Sequence, residues 1–144
     1  MKVFPKILAF KRKYPSTVAW RIESHSKVVE KHLEKDEEVL YAFTGQSNTA
    51  AFDLMHTAVY VLTNKRLLVG VDRVFFGYFL YSITPDMFND LTIVSGLLWG
   101  KVIIDTVKEE VIVTNVSKRA LPEISENVTK YMMEAKKEYL KKEK

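Results

Sequence analysis

Three histidines, His25, His32 and His56, are the side chains of this sequence best suited to moving a proton near neutral pH. Covalent catalysis would require one of them beside a nucleophile. With no cysteine in the chain, that nucleophile would have to be serine or threonine. No Gly-x-Ser-x-Gly elbow occurs. The spacing puts His25 on the packing stripe of a helix, His32 beside it and His56 within a strand, so all three are read as structural. Asp86 and Asp90 stand four apart in a turn, where carboxylates ordinarily cap a short helical turn. Metal ligation fares no better. His25 and His32 are seven apart rather than four, and no loop of alternating acids with a central glycine is present. Gly96-Leu97-Leu98-Trp99-Gly100-Lys101-Val102 has the outline of a phosphate loop. It has three residues between its glycines instead of four, and Val102 stands where a hydroxyl should hold magnesium. The expectation is a protein that is not an enzyme, with no cofactor and no metal.

Charge is distributed unevenly. Net charge is +4, yet Lys2, Lys6, Lys11, Arg12, Lys13 and Arg21 fall in the first 22 residues with no acid among them. Between Glu37 and Ser117 five bases face nine acids, a balance of −4. Any affinity for anions therefore belongs to the N-terminal arm. That arm interleaves Val3, Phe4, Ile7, Leu8 and Phe10 with its bases, a pattern that suits an anionic membrane surface. The favoured alternative packs the same apolar residues on a neighbouring subunit or on the arm's own domain. Arg73-Val74-Phe75-Phe76-Gly77-Tyr78-Phe79 interleaves a base with aromatics as RNA-binding sheets do. It lacks the glycine after the base, and an acidic sheet repels phosphate, so no nucleic-acid partner is expected. Phe75, Phe76, Tyr78 and Phe79 alternate on one predicted strand. Aromatics on both faces mean either burial on two sides or an exposed adhesive face.

The elements that must position these residues form three blocks. A chain of 144 residues with 47% apolar and 28% charged residues suits one globular domain. Residues 1–36 read as a basic arm and then a helix capped by Ser16, with Val18, Ile22, His25, Val29 and Leu33 on one face. From Glu37 to about Val116, β-branched and aromatic residues crowd into seven short runs: Val39–Thr44, Phe52–Thr63, Arg66–Asp72, Val74–Ser82, Leu91–Ser95, Lys101–Thr106 and Val111–Asn115. Thr63-Asn64-Lys65-Arg66 reads as a tight turn between two strong strands, with Asn64 tolerant of positive φ. A last helix spans about Leu121–Leu140, with Pro122 in its first turn and a stripe of Leu121, Ile124, Val128, Tyr131, Ala135 and Tyr139. The predicted class is α+β, mainly β. It is a seven-stranded, bent antiparallel sheet or partly open barrel, capped by a C-terminal helix and preceded by an additional N-terminal helix. The boundary falls between residues 1–36 and a domain of residues 37–144. The absence of cysteine and of a long apolar run or signal peptide favours a cytoplasmic setting.

Three motifs then carry a resemblance. Thr63-Asn64-Lys65-Arg66-Leu67-Leu68-Val69 resembles the T-N-x-R-L-[LI] signature of bacterial pleckstrin-homology-like domains. Leu33-Glu34-Lys35-Asp36-Glu37-Glu38-Val39 is similar to that family's entry to its first strand, and Gly96–Ile104 to its late hairpin. The likeness runs from about Leu33 to Lys137. It implies the fold and no catalytic residue. Lipid-binding relatives of this fold gather Lys and Arg around the first hairpin to neutralise a headgroup. Thr44-Gly45-Gln46-Ser47-Asn48-Thr49-Ala50 has none, so phosphoinositide binding in the usual pocket is not expected. The leading expectation is a protein-interaction or self-assembly module with Phe75, Phe76, Tyr78 and Phe79 as its contact surface. The alternative is peripheral membrane binding through Lys2, Lys6, Lys11, Arg12 and Lys13.

Overall fold

The computed structural model describes residues 2–49, 56–73 and 75–142. Among them the chain forms helices α1 (Phe4–Lys13), α2 (Ile22–His32) and α3 (Leu121–Lys142). The strands are β1 (Val39–Ser47), β2 (Thr57–Thr63), β3 (Leu67–Asp72), β4 (Tyr78–Ile83), β5 (Phe88–Ser95), β6 (Trp99–Thr106) and β7 (Glu110–Ser117). They make one antiparallel sheet in the order β4-β3-β2-β1-β7-β6-β5, with β4 and β5 as terminal strands. The expected class and its capping helix are thus observed.

The sheet has a core on each face. Phe43, Tyr60, Leu62, Val69, Ile104 and Val113 point inward with Leu121, Ile124, Val128 and Met132 of α3. On the outer face Val59, Val61 and Leu68 meet Val3, Ile7 and Val29 of the N-terminal block. Every residue of β2 is consequently buried, the condition that favours an unbroken run such as Ala58-Val59-Tyr60-Val61-Leu62. Gly70 permits the close approach of α2, because a Cβ there would lie 2.5 Å from a methyl of Val29.

Several expectations change. The helix expected to be capped by Ser16 is instead capped at Arg21 and begins at Ile22, and the basic arm is itself helical, with Pro5 in its first turn and Lys11, Arg12 and Lys13 in its last. Residues 14–21 lie between the two helices because β7 claims their hydrogen bonds. The recorded pairing of β7 with β1 is Gln46 with Thr114 and Ser47 with Val113. Beyond it, the Val18 N–H donates to the Asn115 carbonyl (2.9 Å) and the Ser117 N–H to Thr17 Oγ1 (2.9 Å). The linker thus replaces a strand where β7 leaves β1. Arg21 reaches α2 through a left-handed φ of 54°.

Asn64 does not take positive φ; Asn115 does, at 56°. Asn64 instead accepts the Glu38 N–H on its side-chain oxygen (2.8 Å), a bond across 26 positions that ties the turn to the entry of β1. β1 extends through Ser47, so Thr44–Ser47 is strand, and the first connection begins at Asn48; residues 48–56 likewise contain no Lys or Arg. The expected start of the second strand, at Phe52, lies outside the described residues, as does Val74. β4 begins at Tyr78, which moves Phe75 and Phe76 off the strand and into the connection before it. The buried stripe of α3 turns to Met132 after Val128, leaving Tyr131 partly buried and Tyr139 exposed.

Candidate functional site

Two of the three family-like motifs meet in one clasp. Glu37, at the entry to β1, is fully buried and faces Arg66 across 29 positions of sequence. Arg66 Nε and Nη2 donate to the two carboxylate oxygens at 3.0 Å each, the paired geometry for which guanidinium suits carboxylate. Thr63 Oγ1 donates to Oε2 at 2.6 Å and the Glu34 N–H to Oε1 at 3.0 Å. Burial pushes the Glu37 carboxyl up, but Arg66, the Glu34 amide and Thr63 together hold it below the ordinary carboxylate value. With all its acceptors occupied, the pair fastens β1 to the β2–β3 turn.

The histidines are dispersed. His25 is buried under β3 and its Nδ1 accepts the Asp72 N–H at 2.8 Å. Burial, with Arg21 nearby, lowers it to about 4. His32 places Nδ1 2.7 Å from the Val28 carbonyl and Nε2 3.1 Å from the Tyr78 hydroxyl. His56 is exposed and stands one residue before β2, not within the strand as expected. Asp86 accepts from Thr84 (2.6 Å) beside the 3-10 turn Pro85–Met87. Asp90 lies in β5 and accepts its neighbour Leu91's N–H, so it caps no helical turn. Among the described residues no three His, Cys, Asp or Glu gather as metal ligands, and no helix is long and apolar enough to cross a membrane.

The arm's apolar residues pack on its own sheet: Val3, Ile7 and Phe10 are buried, and α1 lies on β1. Its bases face outward. Lys2, Lys6 and Arg12 are exposed, Lys11 Nζ donates to the Pro15 carbonyl (2.8 Å), and Lys13 pairs with Glu123 at 2.6 Å. Glu123 also accepts from the Tyr14 and Tyr41 hydroxyls, which ties α1, β1 and α3 together. Burial pushes Glu123 up, but the three donors outweigh it and hold the carboxyl low.

Phe75 and Phe76, 85% and 83% exposed, project from the β3–β4 connection, closed by an Arg73 N–H to Gly77 carbonyl bond of 2.9 Å. Gly77 takes φ +64°, which suits a residue without Cβ. Tyr78 is also exposed, whereas Phe79 packs against the inner core. Of the four expected contact residues, three therefore present their rings to solvent. The arm bases are elsewhere, with β2 and β3 separating the strand beneath α1 from β4. A second apolar tip was not singled out from sequence as a site. Leu97 and Leu98 are 85% and 60% exposed, with Trp99, Ile93 and Val94 exposed beside them. Its signal was available: no charge occurs from Leu91 to Gly100.

A bent seven-stranded sheet with a C-terminal helix defines a pleckstrin-homology-like protein. The sequence matches the bacterial PH domain family over residues 33–130, and the chain belongs to that family. The match begins one residue beyond α2, so both N-terminal helices lie outside it. The fold is similar to that of a DUF1696 family protein with a pleckstrin-homology domain from Shewanella loihica PV-4, with a TM-score of 0.50 and 11% identity, covering 76% of this chain and 88% of that one. No curated protein matches the sequence.

Proposed function

We propose that this chain is a non-enzymatic interaction module that associates through edge strand β4 and the hairpin before it, with a second copy of itself as partner. The observation that carries the reading is the exposure of Phe75 and Phe76 on a closed hairpin beside a terminal strand. A sheet edge presents backbone donors and acceptors to an added strand, and exposed rings supply the apolar area that makes such pairing adhere. Two copies related by a twofold axis can pair β4 with β4, because an isologous contact uses the same patch twice. The arm alone supplies charge without an insertable apolar side, since Val3, Ile7 and Phe10 are engaged in the fold.

Light scattering on the full chain tests the reading. A mass of two chains or more is expected, falling to one chain in the double variant Phe75→Ser/Phe76→Ser with an unchanged circular-dichroism spectrum. A full chain that is monomeric at high micromolar concentration would sink it.

A further inference from the structure

The second apolar tip, between β5 and β6, is built as carefully as any part of the core. Val94 pairs with Lys101 and Ser95 with Gly100, and the Gly96 N–H closes the turn on the Trp99 carbonyl at 2.9 Å. A Cβ on Gly96 would lie 2.5 Å from that carbonyl oxygen, so the turn depends on glycine. Trp99 Nε1 donates to the Ser16 carbonyl at 2.7 Å, which satisfies the indole while its ring stays partly exposed. The tip therefore holds Leu97, Leu98 and Trp99 in solvent on a fixed frame rather than on a slack loop.

What surrounds the tip is basic. The Trp99–Ser16 bond brings in the end of α1, where Lys11, Arg12 and Lys13 occupy the last turn. The register of β6 with β7 sets Trp99 opposite Ser117, so Lys118 and Arg119 follow immediately, both exposed. Lys101 stands two residues from Trp99, also exposed. The three segments that meet here, residues 11–20, 91–104 and 111–122, contain six bases and no acid. Of the acids that flank these segments, Asp90, Asp105 and Glu110 pair together at the far end of β5, β6 and β7, and Glu123 already accepts from Lys13, Tyr14 and Tyr41. This cationic collar contrasts with the −4 balance of the sheet region as a whole.

We infer that the β5–β6 tip docks on an anionic phospholipid bilayer, with Leu97, Leu98 and Trp99 entering the headgroup boundary and Arg12, Lys101, Lys118 and Arg119 resting on the lipid phosphates. Charge complementarity selects this occupant. Exposed Leu and Trp gain by leaving water at an interface, and surrounding cations gain from the negative surface potential. The attraction is to surface charge in general, since Arg12, Lys101, Lys118 and Arg119 come from separate segments around the tip. It engages a surface separate from edge strand β4.

Flotation with vesicles of phosphatidylcholine, alone or mixed with phosphatidylserine, tests the inference on the full chain. Binding is expected only with phosphatidylserine present, weakening as salt is raised. Leu97→Ser/Leu98→Ser should lower affinity by roughly ten- to a hundredfold, and Lys118→Glu/Arg119→Glu by at least about tenfold. Phe75→Ser/Phe76→Ser should leave it unchanged. In Trp20→Phe protein the remaining indole, Trp99, should shift to the blue on binding and be quenched by brominated lipid. No binding to phosphatidylserine vesicles, or binding that survives Leu97→Ser/Leu98→Ser, overturns the inference. So does self-association that disappears in that variant without vesicle binding, which would assign the tip to a protein contact.

Discussion

Glu37 and Arg66 illustrate how a sequence motif and its physical meaning can sit far apart. The T-N-x-R run is legible as a turn, and the upstream glutamate as an entry to the first strand. Nothing in local spacing joins them, because the two are 29 positions apart and only the β1–β2 pairing brings them together. Removing one member of a buried ion pair strands the other charge, so Arg66→Met is expected to cost about 3–5 kcal/mol in urea denaturation at pH 7. Because the folded Glu37 titrates below its ordinary value, its contribution is present above pH 4.5 and lost as pH falls through the folded value. His25 acts at higher pH. It is held neutral down to about 4 in the folded state and binds its proton near 6.5 when unfolded. Stability from this residue is complete above pH 6.5 and declines by about 3 kcal/mol as pH falls from 6.5 to 4. In His25→Asn the pH dependence over that interval should flatten, even though the variant is less stable at pH 7.

Among the elements, the strands and α3 were legible and the N-terminal block was only half so. Val18, Ile22, His25, Val29 and Leu33 do fit a helical period, but β7 needs partners after Thr114, and that tertiary demand outweighs local preference in residues 14–21. The same stretch supplies no periodic warning, since hydrogen bonds to a strand a hundred residues away leave no trace in spacing. On α3 the stripe departs from expectation after Val128, where Met132 rather than Tyr131 is buried. Met132→Ala is expected to destabilise by about 2–5 kcal/mol, whereas Tyr139→Ala should stay within about 0.5 kcal/mol. Thermal and urea unfolding of the two variants make the comparison. Gly70 tests the docking of α2. Gly70→Val forces a side chain into Val29 and is expected to cost about 1–3 kcal/mol, with faster proteolysis between Tyr14 and Arg21.

At the scale of the molecule, the family match and the packed core have different bounds. The match begins at Leu33, yet Val59, Val61 and Leu68 are covered by Val3, Ile7 and Val29 from outside it. A chain beginning at Leu33 is expected to bind a hydrophobic dye and to lose its cooperative thermal transition, while the full chain does neither. The unbroken apolar run of β2 carried this information, because a strand with one wet face ordinarily alternates. The two exposed tips divided differently. Phe75 and Phe76 could be read as an either-or between burial and adhesion, whereas Leu97, Leu98 and Trp99 passed as turn residues. Their basic surroundings come from three separated segments and exist only after folding.

The bond from Ser117 to Thr17 spans 100 positions, and Lys13 finds Glu123 110 positions away. During synthesis α1 and α2 emerge before the strands they cover, and the β7 partners of Thr17 and Val18 follow most of the sheet. The nascent chain must therefore carry two amphipathic helices with uncovered apolar sides until β1, β2 and β3 have emerged to cover them. Their interval on the ribosome is the period in which chaperone contact or aggregation competes with docking, and a pause between α2 and β3 would lengthen it.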